Sequence, residues 1–378
     1  MEEKYNLGFF LPSLAGGGAE KTMITLANEF SSRGHTVDLL LGKAEGPYKD
    51  KVSDDVRIID FDAPELPGFA LSSSIPYIIK YIKLKQPDVI ISALFPANLV
   101  NIIATKISNT DTISIISEQN RLSRHLEHTS SKERLTLPSL IRFIYPKSDV
   151  VTAVSQGVAS DLSTISGIPQ EQIEIAHNAS MDPDIEHLAT EDVDHKFFDT
   201  GYPVIIAVGN LTKQKDFETL LRSFAKVQEN KQSRLIILGE GEKREELEQL
   251  RHRLGLDDMV DLPGFVNNPY AYLQQSSLFV LSSKWEGLPT VVIEALACGC
   301  PIVSTDCPSG PSEILKDGEY GTLIPVGDDK EMSTAILRML EDPTPSDKLK
   351  ERANDFSTEA AAERYLELIQ KHTTSIES

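Results

Sequence analysis

The sequence predicts an α/β protein with two Rossmann-like domains. Apolar strand-like runs alternate with helical patterns along most of the chain, and strands joined through helices lie parallel in one sheet. At 378 residues the chain is long enough for two domains of ordinary size, each with its own core. The alternation stops in 181–202, a segment rich in Asp, Glu, Pro and His that is typical of a linker, and begins again at Pro203. We therefore expect one domain at 1–195, a second at 196–355 and a last helical segment at 356–378.

Both domains show repeated strand–helix units when their elements are taken in order. In the first we expect strands at 7–11, 37–41, 56–61, 89–92, 113–117, 150–154 and 171–176, and helices at about 19–32, 77–85, 97–106 and 155–165. In the second we expect strands at 203–209, 235–238, 260–262, 278–281, 301–305 and 320–324, and helices at 217–227 and 243–254 and from about 290, 330, 346 and 358.

A glycine-rich loop, GGGAEK, separates the first strand from the first helix. It does not match GxGxxG, so the sequence predicts no dinucleotide site there. Because Gly17 and Gly18 lack side chains, their backbone N–H groups can approach a ligand closely. The alternative is a plain tight turn.

Polar residues follow the fifth strand in the order Ser117, Glu118, Gln119 and Asn120. Ligands of open α/β sheets bind beyond the carboxyl ends of the strands. We therefore expect Glu118 and Asn120 to contact an acceptor or a donor sugar.

The segment 121–147 interrupts the alternation with basic and apolar residues on an acidic protein. Its cations are Arg121, Arg124, Lys132, Arg134, Arg142 and Lys147. One interpretation is a surface helix that rests on an anionic membrane and receives a lipid-linked acceptor. The other is an ordinary core-facing helix with a charged outer face.

The second domain contains the stretch around which the chain is organised, SSKWEGLPTVVIEALACGCP at 282–301. A buried strand at 278–281 gives way to a turn with Gly287 and Pro289, and a helical pattern starts at about Thr290 and ends at Gly299. The free N–H groups and the dipole of such a helix favour an anion beyond the strand.

Two carboxylates frame this turn. Glu286 lies in the loop and Glu294 eight residues later in the helix, too far along the axis for an adjacent acid–base pair. They are placed to hold two parts of one extended ligand. The alternative is that Glu286 caps the helix and Glu294 faces solvent.

This stretch resembles the nucleotide-sugar signature of family-4 glycosyltransferases of the GT-B fold. The GGGAEK loop, the segment NLTKQK at 210–215 and the PGFV turn at 263–266 resemble further motifs of that family, and TDCPSGPSEIL resembles a subgroup that builds cell-surface glycans on lipid carriers. The resemblance covers nearly the whole chain. It implies two domains facing across a cleft and a terminal helix that crosses back onto the first domain.

The resemblance also implies roles for individual residues. Lys215 would balance the donor diphosphate, Glu286 would hold donor-sugar hydroxyls, and Glu294 would hold the ribose. We expect catalytic roles for Lys215, Glu286 and Glu118. The remaining residues expected at the donor are Gly17, Gly18, Asn210, Val266, Gly287, Leu288, Pro289, Thr290 and Val291, with the backbone of Val266 reading the base.

Two departures from the family pattern stand out. Asn210 falls where the family usually has arginine, and an amide carries no charge to stabilise a leaving diphosphate. Lys213 is either its substitute or a solvated loop lysine. The histidine that many members carry near the end of the fifth strand is replaced by SEQN, and the sequence does not fix a register that would give its role to His125.

The function implied is transfer of a hexose or N-acetylhexosamine, with UDP as the expected carrier, to an acceptor hydroxyl on a lipid-linked glycan. We expect retention at the anomeric carbon, no metal and no cofactor besides the nucleotide-sugar substrate. No Asp-x-Asp run is placed to clamp a metal diphosphate. The alternatives are a non-catalytic GT-B partner subunit, a sugar-nucleotide epimerase and a glycogen-type synthase.

Composition excludes several other classes. A net charge of −20 and a pI near 4.8 argue against general nucleic-acid binding. The sequence has no apolar run of membrane-spanning length and no signal-like start, so we expect a cytoplasmic protein, peripheral on the inner face of the cell membrane. The three cysteines, Cys298, Cys300 and Cys307, are expected to be reduced and buried, with a zinc site as the alternative.

Overall fold

The computed structural model describes residues 3–15, 17–64, 72–129, 131–179, 181 and 184–373. The chain divides into two compact units. The first unit comprises Met1–Ala179 with Thr358–Ser378, and the second comprises Ser180–Ser357. Each is an α/β fold, which confirms the predicted class.

The first unit has a seven-stranded, all-parallel sheet in the order β3-β2-β1-β4-β5-β6-β7. Its strands are β1 (Asn6–Leu11), β2 (Thr36–Leu41), β3 (Arg57–Asp60), β4 (Val89–Ala93), β5 (Ile113–Glu118), β6 (Val150–Ala153) and β7 (Ile173–Ile175). Its first six helices are α1 (Gly18–Ser32), α2 (Ile75–Lys85), α3 (Phe95–Ser108), α4 (Leu122–His128), α5 (Ser131–Ile144) and α6 (Gln156–Ser166).

The second unit has a six-stranded parallel sheet in the order β10-β9-β8-β11-β12-β13. Its strands are β8 (Val204–Val208), β9 (Arg234–Leu238), β10 (Val260–Gly264), β11 (Leu278–Leu281), β12 (Ile302–Thr305) and β13 (Thr322–Ile324). Its helices are α7 (Ile185–Ala189), α8 (Phe217–Gln228), α9 (Arg244–Arg253), α10 (Pro269–Gln275), α11 (Thr290–Ala297), α12 (Pro311–Ile314), α13 (Asp329–Glu341) and α14 (Ser346–Ala353).

Both sheets are covered on two faces, which explains why their strands are apolar runs rather than alternating ones. In β1, Phe9 joins one core cluster and its neighbour Phe10 joins the cluster on the opposite face, with helices α2 and α3. In β8, Ile206 shares a cluster with Val292 of α11, while Ile205 packs in another with helix α8. Each unit therefore has a core on each side of its sheet.

Strand order reverses once in each sheet, between β1 and β4 and between β8 and β11. Ligands of such sheets bind at the carboxyl ends of the strands beside this switch point. In the second unit, the loops leaving β8 and β11 are the ones that carry Lys215 and Glu286.

The last helix, α15 (Thr358–Thr373), belongs to the first unit, as predicted for the terminal helix. Tyr365, Leu368 and Ile369 are buried in the same core cluster as Phe9. The guanidinium of Arg364 lies 2.7 Å from the carboxylate of Glu174 in β7. Packing and an ion pair thus both attach α15 to this unit.

The predicted linker differs from the structure. The compact units meet in sequence at Ala179 and Ser180, earlier than the expected boundary after 195. Ile185, Ala189 and Phe197 are buried in a core cluster of the second unit. The many acidic residues of the segment made it resemble a linker. The three buried apolar residues nevertheless attach the segment to the second unit.

Among the described residues, the helices are all too short or too polar to cross a membrane.

Candidate functional site

An ion pair between two loops forms the centre of the candidate site in the second unit. The Lys215 Nζ lies 2.7 Å from Glu286 Oε1, and the two side chains are only 17% and 8% exposed. Ser283 Oγ donates to the same carboxylate oxygen at 2.6 Å, and Gln214 Nε2 donates to Oε2 at 3.2 Å. The carboxylate is thus held by three side-chain donors at the carboxyl ends of β8 and β11.

Backbone and side-chain contacts join the two loops around this pair. Ser282 Oγ donates to the Lys215 carbonyl at 2.6 Å, and the Lys284 N–H donates to the Gln214 carbonyl at 2.8 Å. The Lys284 ammonium lies 2.9 Å from Asp216, which begins helix α8 in a left-handed conformation. These contacts fix the register in which lysine and glutamate meet.

A glycine makes room for the lysine. A Cβ on Gly209 would lie 2.9 Å from Lys215 Cε, so the lysine stem occupies the space that any other residue would fill. Gly209 directly follows β8, and the Lys215 side chain therefore lies against the end of the strand.

The turn into α11 leads from Glu286 to an uncapped helix N-terminus. Leu288 packs on the core, and Pro289 occupies the capping position without a side-chain hydrogen bond to the helix. Thr290 is exposed and Val291 is buried. The first-turn N–H groups carry the positive end of the helix dipole, which favours an anion.

A second loop supports this turn from the end of β12. The Glu286 N–H donates to the Pro308 carbonyl at 3.3 Å. Gly310 has φ +99°, and a Cβ there would lie 3.0 Å from the Gly287 carbonyl oxygen and also against Pro289. The close approach explains why glycine occupies position 310.

The other residues expected at the donor are distributed around these loops. Asn210 is exposed just after β8, and its carbonyl accepts from the Thr212 N–H at 2.8 Å. Glu294 is half-buried on α11, and Val266 is half-buried after β10, where it packs on the core.

In the first unit, Gly17 stands at the capping position of α1 and Gly18 is its first residue, both exposed. The carboxylate of Glu20 folds back into the space where a Cβ on Gly17 would lie. A carboxylate of the chain itself therefore lies at this helix N-terminus. Gly16 lies outside the described residues.

The placement of Glu118 differs from the expectation of an open ligand contact. It is the last residue of β5 and is 2% exposed. Asn98 Nδ2 donates to its carboxylate at 2.9 Å, and the Tyr145 hydroxyl donates to the same oxygen. Burial raises the Glu118 pKa to about 7, although both hydrogen bonds act to lower it. Asn120, two residues further on, is exposed.

Sequence reasoning missed Gln214 and Ser283, both of which hold Glu286. The signal available was their position beside residues already identified, since Gln214 precedes Lys215 and Ser283 lies three residues before Glu286. It also missed a polar contact in the first unit, where Asn178 Nδ2 donates to Gln119 Oε1 at 2.8 Å.

All three cysteines are free and buried. Burial raises the pKa of Cys298 and of Cys307 to about 12, and it also raises the pKa of Cys300. A thiol in such surroundings resists the ionisation that a zinc ligand requires. The geometry favours small core side chains over the zinc alternative.

The segment 121–147 forms α4, α5 and a short 3₁₀ turn. Ile141, Ile144 and Tyr145 are buried, so one side faces the core. Leu135 and Phe143 are 83% and 70% exposed. The segment thus combines features of both interpretations. The side chain of Lys132 lies outside the described residues.

Comparison with known proteins assigns the family. The sequence model of the family Glycosyltransferase Family 4 matches residues 16–179. The sequence model of the family Glycosyl transferases group 1 matches residues 189–356. The chain belongs to these glycosyltransferases of the GT-B fold.

Its relatives include two enzymes of Campylobacter jejuni. One is an N-acetylgalactosamine-N,N'-diacetylbacillosaminyl-diphospho-undecaprenol 4-alpha-N-acetylgalactosaminyltransferase, 32% identical over 94% of this chain and 95% of that protein. The other is a GalNAc-alpha-(1->4)-GalNAc-alpha-(1->3)-diNAcBac-PP-undecaprenol alpha-1,4-N-acetyl-D-galactosaminyltransferase, 26% identical over 96% of this chain and 98% of that protein. The crystal structure of Anabaena HepE in complex with UDP has the same fold, with a TM-score of 0.75 at 21% identity over 97% of this chain and 100% of that one.

Proposed function

We propose that this protein transfers a hexose or N-acetylhexosamine from a UDP-linked donor to a hydroxyl of a lipid-linked glycan, with retention and without a metal. The observation that carries the proposal is the Lys215–Glu286 pair at the switch point of the second sheet, in the loops that lead to α8 and α11. Ligand binding at such a position is general for open α/β sheets.

The reaction breaks the bond between the anomeric carbon and the donor phosphate oxygen. The electron pair goes to the diphosphate, the acceptor oxygen bonds to the anomeric carbon, and the acceptor proton is released. Negative charge develops on the leaving diphosphate. In this proposal, the ammonium of Lys215 and the N–H groups of Thr290 and Val291 donate hydrogen bonds that stabilise this charge. Because this charge is balanced by a lysine and a helix N-terminus, the proposed step needs no divalent cation. One such donor is typically responsible for about 10²–10³ in rate.

We assign Glu286 to the hydroxyls of the donor sugar rather than to covalent attack on the anomeric carbon. Its carboxylate already accepts hydrogen bonds from Lys215, Ser283 and Gln214, which fix its orientation. A carboxylate offers about four acceptor positions, so capacity remains for sugar hydroxyls. Glu294 is assigned to the ribose, and the backbone at Val266 to the base.

The relatives support the choice of donor and acceptor. The two Campylobacter relatives are named as N-acetylgalactosaminyltransferases that act on diphospho-undecaprenol glycans, and HepE binds UDP. The same names favour a transferase over an epimerase. Asn210 is an exposed, uncharged amide just after β8, so it adds no positive charge to that of Lys215.

A lipid-linked acceptor requires the enzyme to work at a membrane surface, and we assign that contact to 121–147. Leu135 and Phe143 are exposed apolar side chains, and the Lys147 ammonium lies 4.4 Å above the Phe143 ring. Arg134 and Arg142 are exposed on the same helix. Exposed apolar side chains surrounded by cations match a surface of anionic lipid.

The test is the thermal stability of the purified protein with UDP, GDP, ADP and their sugar conjugates. A ligand at 100 times its dissociation constant adds about 2.7 kcal/mol to the free energy of unfolding. We expect a selective shift with UDP and UDP-sugars, followed by transfer of labelled sugar from the preferred donor to an organic-extractable lipid in membrane extracts. A selective shift with ADP or GDP would overturn the UDP assignment. No shift with any nucleotide would favour a non-catalytic partner subunit.

A further inference from the structure

We propose that Gln214 is a positioning residue for the donor sugar, because it holds Glu286 in place by a contact that does not depend on Lys215. The inference rests on the proposed function, in which Glu286 binds sugar hydroxyls and Lys215 binds the diphosphate. It adds a residue that lies outside the set expected at the donor from the sequence.

Gln214 is attached to the β11 loop at both its backbone and its side chain. Its carbonyl accepts from the Lys284 N–H at 2.8 Å. Its Nε2 lies 2.9 Å from the Trp285 carbonyl oxygen and 3.2 Å from Glu286 Oε2. An amide nitrogen has two hydrogens, and these two contacts use both of them.

The two oxygens of Glu286 are held differently. Oε1 accepts from Lys215 at 2.7 Å and from Ser283 at 2.6 Å, whereas the side-chain contact of Oε2 is with Gln214. When a diphosphate binds, the lysine ammonium must share its charge with the phosphate oxygens, which weakens its contact with Oε1. The neutral amide of Gln214 has no attraction of that kind to a phosphate. It therefore keeps the carboxylate oriented while the cation is shared.

This arrangement predicts that loss of Gln214 harms recognition of the sugar and spares recognition of the nucleotide. The isosteric change Gln214→Met removes the amide and retains the bulk of the side chain. The change Gln214→Glu places a second carboxylate against Glu286, and like charges at this distance repel. We therefore expect Gln214→Glu to be the more damaging of the two.

Gln228→Met is the matched control. Gln228 is also half-buried in the second unit, and its Nε2 also makes two hydrogen bonds, to the Ser233 carbonyl at 3.1 Å and to Ser233 Oγ at 2.8 Å. It lies at the far end of α8 from Lys215, and we have assigned it no part in binding or catalysis.

The experiment measures the dissociation constant of UDP by calorimetry, and kcat/KM for the preferred UDP-sugar with membrane extract as the acceptor source. We expect Gln214→Met to lower kcat/KM by about tenfold or more, because a hydrogen bond to a charged group is lost. Its UDP dissociation constant should stay within about twofold of the wild type, as should both quantities for Gln228→Met. Melting temperatures identify any variant that fails to fold, and Gln214→Glu then serves as the second variant.

Three results would overturn the inference. One is unchanged kcat/KM in Gln214→Met and Gln214→Glu. Another is an equal loss of UDP and UDP-sugar recognition, which indicates a structural role only. The third is a wild-type protein that binds no nucleotide sugar, in which case the proposed function fails before any variant is compared.

Discussion

Lys215 is the single residue on which the proposed chemistry depends most. Its ammonium is largely withdrawn from water and lies beside a carboxylate whose side chain is only 8% exposed. Removing one partner of such a pair leaves the other charge uncompensated. The resulting loss of stability is larger than the net stabilisation that the pair itself provides. Gly209 lies directly against the Lys215 side chain, and the absence of a side chain at position 209 leaves the space that the lysine occupies.

We expect Lys215→Ala to lower the transfer rate by about 10²–10³, because a fixed cation beside the leaving diphosphate is lost. The measurement is steady-state release of UDP from the donor. Lys226→Ala is the control, since Lys226 also lies 2.7 Å from a carboxylate, that of Asp329, in the same unit. Near-wild-type turnover in a folded Lys215→Ala protein would contradict the assignment.

The individual residues of the donor site were predictable to different degrees. Lys215 and Glu286 could be identified because they stand at recognisable spacings in loops that follow apolar strands. Gln214 and Ser283 lie near these residues in the sequence, but the sequence does not show which side chains of the two loops face the carboxylate. Glu118 was expected to be open to ligand, but Asn98 and Tyr145 come from distant segments to enclose it.

The enclosure of Glu118 makes stability depend on pH. The pKa of Glu118 in the folded state, about 7, is above its value in the unfolded state. Between these two pKa values the folded state therefore binds the proton more tightly than the unfolded state does. Stability from this group is therefore complete below the unfolded pKa and falls as pH rises towards 7. We expect the difference in unfolding free energy between Glu118→Gln and wild type to grow by about 2–3 kcal/mol from pH 5 to pH 8.

Urea unfolding followed by circular dichroism at several pH values measures this difference. Glu359→Gln removes an exposed carboxylate from the same unit and should show no comparable trend. A constant difference for Glu118→Gln across the range would show that the folded carboxyl is not held in its protonated form.

At the scale of the elements, three loops build the surroundings of the Lys215–Glu286 pair, and each follows a strand of the second sheet. The loops after β8 and β11 hold the ion pair, and the loop after β12 supports the turn into α11. The support depends on backbone contact at Gly310, where no side chain fits. A change there should move the helix N-terminus without altering any group that touches the donor.

Gly310→Ala should weaken UDP binding by about tenfold or more, because a displaced α11 N-terminus no longer meets the diphosphate. Gly318→Ala is a close control, since Gly318 has φ +100° and open space around it. Both positions have a positive φ, at which a non-glycine residue is strained, so backbone strain is present in both variants. Calorimetry with UDP separates them, and equal affinities in the two variants would show that the β12 loop does not support the site.

Elements were the most predictable level of this structure. Parallel strands buried on both faces leave continuous apolar runs, and the glycine and proline residues between the runs mark the turns. The stop of α11 at Gly299, which has φ +67°, follows from that rule. The prediction of a linker at 181–202 was wrong because three apolar positions among many charges give no periodic pattern. Ile185, Ala189 and Phe197 are nevertheless core residues.

At the scale of the whole molecule, charge is the dominant feature. A net charge of −20 should repel an anionic membrane, so any attachment must come from a local surface of the opposite sign. The exposed side chains of α5 and of the turn after it form such a surface. Lys147 lies over the Phe143 ring, and Arg142 and Leu135 are exposed on α5. We propose this surface as the membrane contact of a chain that is acidic as a whole.

Cosedimentation with vesicles that contain phosphatidylglycerol tests this surface. We expect the Leu135→Ser, Phe143→Ser double variant to lose most binding, and Arg142→Gln with Lys147→Gln to weaken it by about 2 kcal/mol. Leu84→Ser is the control, because Leu84 on α2 is 70% exposed, as is Phe143. Binding should also fall with added salt. Equal pelleting of all variants, or equal pelleting with neutral vesicles, would show that the segment is not a membrane contact.

The position of α15 has a consequence for how the protein is made. The chain leaves the first unit at Ala179 and returns at Thr358, so the second unit is complete on the ribosome before the first. At synthesis rates of about 5–20 residues per second, the interval between these points is roughly 10–40 s. Throughout it, the apolar face that Tyr365, Leu368 and Ile369 later cover is open to water. This face therefore stays uncovered in the nascent chain until α15 has been synthesised.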